Sequence, residues 1–106
     1  MIQRNSLDKL KGYIGLANRA GYIIFGADNL KVYTHKMYVV LYRNDGGKTI
    51  DKTLNKIKQE NNVEVFCLNE QDFNHIVGKD NCKLLAIKNK GLSDQIIKIL
   101  RSEQIG

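Results

Sequence analysis

Two glycines five residues apart in RAGYIIFGADNLK, residues 19–31, raise phosphate chemistry first. A phosphate-cradling loop of the G-x-x-x-x-G-K-[ST] kind uses its lysine to reach the outer phosphates and its hydroxyl to hold magnesium. Gly21 and Gly26 have that separation, but Ala27 and Asp28 follow. A carboxylate there repels phosphates, and no lysine is placed to offset it. Nucleotide binding is not predicted. His35 and His75 have no carboxylate or cysteine at a telling spacing, and no paired acids, serine–histidine arrangement or metal cluster is visible. Cys67 and Cys82 lie far apart without C-x-x-C or histidine spacing, which predicts reduced thiols rather than a zinc site or redox pair. The expectation is a non-catalytic protein without metal or cofactor.

Charge points to a different partner. The formal net charge is +6 and the pI about 9.4, and basic domains gain sequence-independent affinity from phosphate contacts. The excess is concentrated: residues 1–48 carry eight Lys/Arg against three Asp/Glu, and residues 49–106 nine against eight. The first half is therefore expected to face an anion, unless the lysines only reflect a composition rich in Lys, Asn and Ile and free of Pro. Hydrophobic content of 42% with 26% charged residues is that of a globular domain, and no apolar run approaches the about 20 residues of a membrane span. The opening MIQRNSLDKLKG lacks the apolar core of a secretory signal, so a cytoplasmic protein is expected.

The elements that must hold these residues alternate from end to end. Asn5 or Ser6 can cap a helix with Leu7, Leu10, Ile14, Ala17 and Ala20 inward, and Gly21 stops it. Tyr22 to Phe25 reads as a strand. Asp28 opens a short helix through about Thr34, and Met37 to Tyr42 is a buried strand. RNDGGK is a loop; Thr49 opens a helix with Ile50, Leu54 and Ile57 inward and Lys48, Lys52 and Lys56 along a solvated face. Val63 to Leu68 is a third strand. Asn69 and Asp72 cap a helix that carries Phe73, Ile76 and Val77 and ends at Gly78, Lys83 to Lys88 is the fourth strand, and a last helix starts at Ser93 with Leu92 and Ile97 as a hydrophobic staple. This alternation predicts one domain over residues 1–106: an α/β fold, a three-layer α/β/α sandwich around a central mixed sheet of about four strands. Tyr22, Tyr33, Tyr38 and Tyr42 can be read as base-stacking residues. Three of them fall in or beside strands, so packing is the assignment made from sequence.

LKGYIGLANRAGYIIFG, then a short helix and an apolar strand, and later FNHIVGKDNCKLLAIKNKG, resemble the kink-turn RNA-binding ribosomal protein family of the L-seven-Ae and L-thirty-e type, most closely its small bacterial YlxQ-like branch. The similarity covers nearly the whole chain. Its most specific pieces are GLAxRAG, Gly15 to Gly21, and the glycine-bounded stretch from Gly78 to Lys83. The resemblance implies an α/β/α sandwich that binds RNA at sharp bends flanked by sheared G·A pairs.

In that family the RNA-reading helix begins with a motif like G-x-N-E-x-x-K, whose acid side reads guanine edges and whose lysine meets the backbone. GADNLK fits it in two registers. Counted from Gly26, Asp28 and Asn29 take the asparagine and glutamate places and Lys31 falls one residue early. Counted from the acid, Asp28 and Lys31 keep the spacing, and Ala27 replaces the asparagine. The stretch before MYVVLY is also two or three residues short. The resemblance further implies a contact at Gly78 to Lys83, where Cys82 is nearest to the place of an apolar residue that packs on an extruded base and Lys79 and Lys83 add phosphate contacts. Arg19 either satisfies the end of its helix or meets phosphate, and Asn44 is a further candidate. The expected partner is structured RNA, ribosomal RNA included, bound by a monomer. The alternative is a protein-interaction module that keeps the fold after losing RNA recognition.

Overall fold

Leu10, Ile14 and Ala17 recur at helical spacing and are buried, while Lys9, Lys11 and Arg19 stay exposed. In the computed structural model, which describes residues 2–33, 35–60, 62–79 and 81–105, they belong to α1 (Arg4–Arg19). The chain continues through β1 (Ile23–Phe25), α2 (Ala27–Val32), β2 (Val39–Arg43), α3 (Gly47–Glu60), β3 (Glu64–Leu68), α4 (Glu70–Val77), β4 (Leu84–Ile87) and α5 (Lys90–Ile105). Each predicted strand is found, with ends shifted by at most two residues. The short helix ends at Val32; Thr34, its predicted limit, lies outside the described residues.

The sheet order is β1-β4-β2-β3, with β4 antiparallel to both neighbours and β2 parallel to β3. Side chains alternate across it. Val39, Leu41, Phe66, Leu68, Leu85 and Ile87 pack with α1, α4 and α5, whereas Val40, Leu84 and Ala86 pack with α2 and α3. The result is the three-layer α/β/α sandwich with a mixed four-stranded sheet. No helix among the described residues is long and apolar enough to cross a membrane.

Several helix starts differ from their sequence reading. Asn5 and Ser6 lie inside α1, whose N-cap is Gln3 with no side-chain cap. Glu103 of α5 takes that role: its carboxylate accepts the Gln3 N–H at 3.3 Å and the Ser6 hydroxyl. The RNDGGK loop shrinks to residues 44–46, because Arg43 ends β2 and Gly47 opens α3, ahead of Thr49. The last helix starts at Lys90 rather than Ser93, with the Asn89 side chain accepting the Leu92 N–H at 2.9 Å. The α4 start matches its reading: the Asn69 side chain accepts the Asp72 N–H at 2.8 Å, and Gly78 closes the helix in the left-handed conformation, φ 72°.

Ser93 is fully buried instead of capping, and among the described residues its hydroxyl has no partner. Leaving such a group unpaired costs about 1–3 kcal/mol. Ser93→Ala is therefore expected to stabilise the domain by about 1 kcal/mol, read as a higher urea midpoint at unchanged slope. An unmoved midpoint would show that the hydroxyl is not unpaired in solution.

Candidate functional site

One end of the sheet gathers most of the candidate residues, because β1, β2 and β3 end there and β4 begins there. Phe25 of β1 packs on the α1–α4–α5 side, whereas α2 belongs to the other layer, so the chain must cross the sheet plane at Gly26. It does so with φ 86° and ψ 152°, a conformation open essentially to glycine. The Gly26 N–H donates to the Leu84 carbonyl at 2.8 Å, which ties the helix start to the first residue of β4. A Cβ at Gly26 would meet nothing within 4 Å, so a substitution there acts through backbone strain alone. Gly26→Ala is expected to cost about 1–3 kcal/mol and to disturb the site, readable as a lower urea midpoint together with shifted amide signals for residues 79–84. Unchanged stability would mean that the turn relaxes freely.

The Gly78–Lys83 loop lies against this turn. Phe25, Gly26, Lys79, Asn81 and Cys82 line a hollow of about 350 Å³, with the Lys79 ammonium 3.9 Å from the centre of the Phe25 ring. That cation–π contact holds Lys79 over the hollow without neutralising it. Cys82 is only 8% exposed and forms part of the wall, its thiol donating to the Leu84 carbonyl at 3.3 Å. Burial pushes the thiol pKa up, so it behaves as a small apolar group. Asp80 of this loop lies outside the described residues.

On α2, Asp28 is almost fully exposed, and its carboxylate lies 4.0 Å from the Lys31 ammonium one turn later. The two therefore share a face, and the pair turns the ammonium back toward the helix start. Asn29 is used differently: its side-chain amide donates to the Phe25 carbonyl at 2.8 Å and fastens the turn. The Lys56 ammonium donates to the Lys31 carbonyl at 3.1 Å, so the solvated lysine face of α3 adjoins the end of α2.

Two candidates lie elsewhere. Asn44 follows β2, two strands from Gly26, or about 10 Å across the sheet. It borders a separate polar hollow with Asn69, Glu70, Gln71 and Asn74. Beneath it the Arg43 guanidinium donates to Asp45 at 2.7 and 2.9 Å and to Asn74 at 3.0 Å. The hydrogen-bonded pairing of Arg43 with Asp45 holds the Asp45 carboxyl below, and the Arg43 guanidinium above, their ordinary pKa ranges. Arg19 sits at the end of α1, just before β1 begins, and so at the opposite end of the sheet.

Sequence reasoning missed Phe25 and Asn81. From its neighbours Phe25 reads as buried strand, and nothing local shows that a loop 54 residues later sets a lysine on its ring. It also missed the contact of the His75 ring with Asp8 at 3.4 Å, which joins α4 to α1 across 67 residues.

No known family profile matches this chain, and no curated protein matches it. A solved structure does. It is that of a protein with unknown function from Bacillus halodurans C, 26% identical in sequence, with a TM-score of 0.68 over 88% of this chain and 97% of that one. The likeness extends over nearly the full length of both chains, in keeping with a single α/β sandwich.

Proposed function

We propose that this protein binds structured, bent RNA, without catalysis, at the sheet end formed by the Gly26–Lys31 segment and the Gly78–Lys83 loop, in the manner of the kink-turn RNA-binding family that its sequence resembles. The observation that carries the reading is the joining of those two segments into one hollow with Lys79 poised over it, although they are about 50 residues apart in the chain. An apolar wall of Phe25 and Cys82, a lysine above it, and an exposed acid and lysine on the adjoining helix suit an unstacked base with its flanking phosphates. Asp28 supplies an acceptor for guanine N1–H and N2–H, and Lys31 a cation one turn away. With α2 only six residues long, its N-terminus adds little on its own, so the reading leans on side chains. The structure favours the register counted from the acid, since Asp28 and Lys31 face the same way and Asn29 is occupied by Phe25.

Electrophoretic titration of a kink-turn stem and a straight stem of equal length tests the reading. The protein is expected to prefer the bent stem, and Asp28→Ala to remove that preference while keeping most of the affinity, by about 1–3 kcal/mol of discrimination. Equal, weak binding to both stems by the unmodified protein would overturn the specific claim. The brevity of α2 and the engagement of Asn29 favour a second reading, a protein-interaction module; partners that survive RNase treatment during purification would support it.

A further inference from the structure

The opposite end of the sheet carries a different constellation. Ile23, Ile87 and Val39 form its last regular row, and all three pack toward α1, α4 and α5. Alternation then sends the next pair, Tyr22 and Lys88, to the other face, the side of α2 and α3, and Tyr38 stands just before Val39 at the same end of the sheet. The Lys88 N–H donates to the Tyr22 carbonyl at 2.8 Å and continues that pairing, whereas the Tyr38 N–H donates to the Ile87 carbonyl at 3.0 Å, so Tyr38 and Val39 both face Ile87 and the regular pairing ends there. A lysine thus lies between two tyrosines at the ends of three adjacent strands, the tyrosine backbones about 10 Å apart.

The short α2 stops before covering this row. It ends at Val32, itself 76% exposed, and Tyr33 follows with its ring 6.0 Å from the Lys88 ammonium. The Lys36 ammonium lies 5.2 Å from the centre of the Tyr38 ring. Tyr22 is 38% exposed, and Arg19 stands three residues before it. The row itself holds no carboxylate. Glu64, one row further in, faces the other way and is held by Arg101. The exposed Tyr22 and the half-buried Tyr38 among these cations match the requirements of unpaired nucleic-acid strands, whose bases stack on the rings while phosphates meet the lysines; Tyr33 is packed partly against the α2–α3 core.

We propose that this end of the sheet is a second RNA-contact surface, which takes single-stranded nucleotides on Tyr22 and Tyr38 with phosphate contacts from Arg19, Lys36 and Lys88. It shares only the partner class with the bent-RNA reading. The surface lies at the far end of the strands, so an RNA held at the Gly26 hollow can lay a flanking strand across it.

Fluorescence anisotropy with a labelled, unstructured uridine 12-mer tests the surface separately from the bent stem. Tyr22→Ala is expected to weaken 12-mer binding about fivefold or more while changing bent-stem affinity less than about twofold, and Tyr22→Phe to retain binding because a ring is enough to stack. Lys88→Gln should reduce the salt slope for the 12-mer by about 0.7. Tyrosine emission, unobscured because the chain has no tryptophan, should fall on 12-mer binding. The proposal is overturned if the unmodified protein fails to bind the 12-mer, if Lys79→Gln abolishes 12-mer binding as effectively as Tyr22→Ala, or if Tyr22→Phe is as weak as Tyr22→Ala. Binding of the 12-mer with no preference for the bent stem would sink the first reading and leave this one standing.

Discussion

Replacing Lys31, Lys79 and Lys83 together by glutamine is expected to lower affinity for bent RNA roughly 10- to 100-fold near 0.1 M salt and to flatten the slope of log K against log salt by about 2 to 3. Each phosphate neutralised by a cation releases condensed counterions, so each lost contact removes close to one unit of slope. The three lysines are suited to this by geometry. Lys79 is held over the hollow by a ring rather than a carboxylate, and Lys31 is paired with Asp28 only at 4.0 Å. Lys83 is half-buried, and its backbone carbonyl accepts the Arg43 N–H at 2.9 Å, which fixes its strand at the same sheet end. Glutamine keeps the length and polarity of the side chains, so a circular dichroism melt should change little. Titrations at three or more salt concentrations supply the measurement, and an unchanged slope would remove these lysines from the interface.

Phe73→Ala is expected to cost about 3–5 kcal/mol, about a fifth or more of the roughly 5–15 kcal/mol that holds a domain of this size together. Phe73 has no exposed surface and sits among the residues that join α4 to α1 and the sheet. Its removal leaves a cavity that two packed helices and a sheet can close only in part. The effect should reach the site, because α4 ends at Gly78 and delivers the loop that carries Lys79 and Cys82. Urea unfolding gives the stability, and RNA titration well below the transition tests the coupling. A loss below about 1 kcal/mol would mean that α4 contributes little to the core.

The elements were legible in the sequence because their patterns are local. The spacing of Leu10, Ile14 and Ala17, the Asn69 cap with Asp72, the Gly78 stop and the apolar run from Leu84 to Ile87 each need only a few neighbouring residues to be recognised. What was hidden depends on partners far away in the chain. Glu103 takes the place of a local cap at the start of α1, so Asn5 and Ser6 only resembled caps. Ser93 is of a capping type, but Asn89, four residues earlier, does the capping. The site was legible as two segments, not as one hollow. Of the tyrosines assigned to packing, Tyr33 and Tyr42 do pack against the α2–α3 core, whereas Tyr22 is exposed at the sheet end beyond α2.

The sheet order also sets when the fold can be completed. Ile23 and its partner Ile87 lie 64 positions apart in the chain, and β4 stands between β1 and β2, which pair with it and not with each other. At about 5–20 residues per second, a ribosome needs roughly 3 to 13 s to make the intervening chain. Until then β1 has no neighbour, and the apolar side of α1 has no complete surface to cover. Arrival of β4 joins the two halves of the sheet and, in the same event, brings the Cys82 wall to Phe25. Closure of the sheet and assembly of the hollow are thus one late step of synthesis, and a chain stopped short of Leu84 would possess neither.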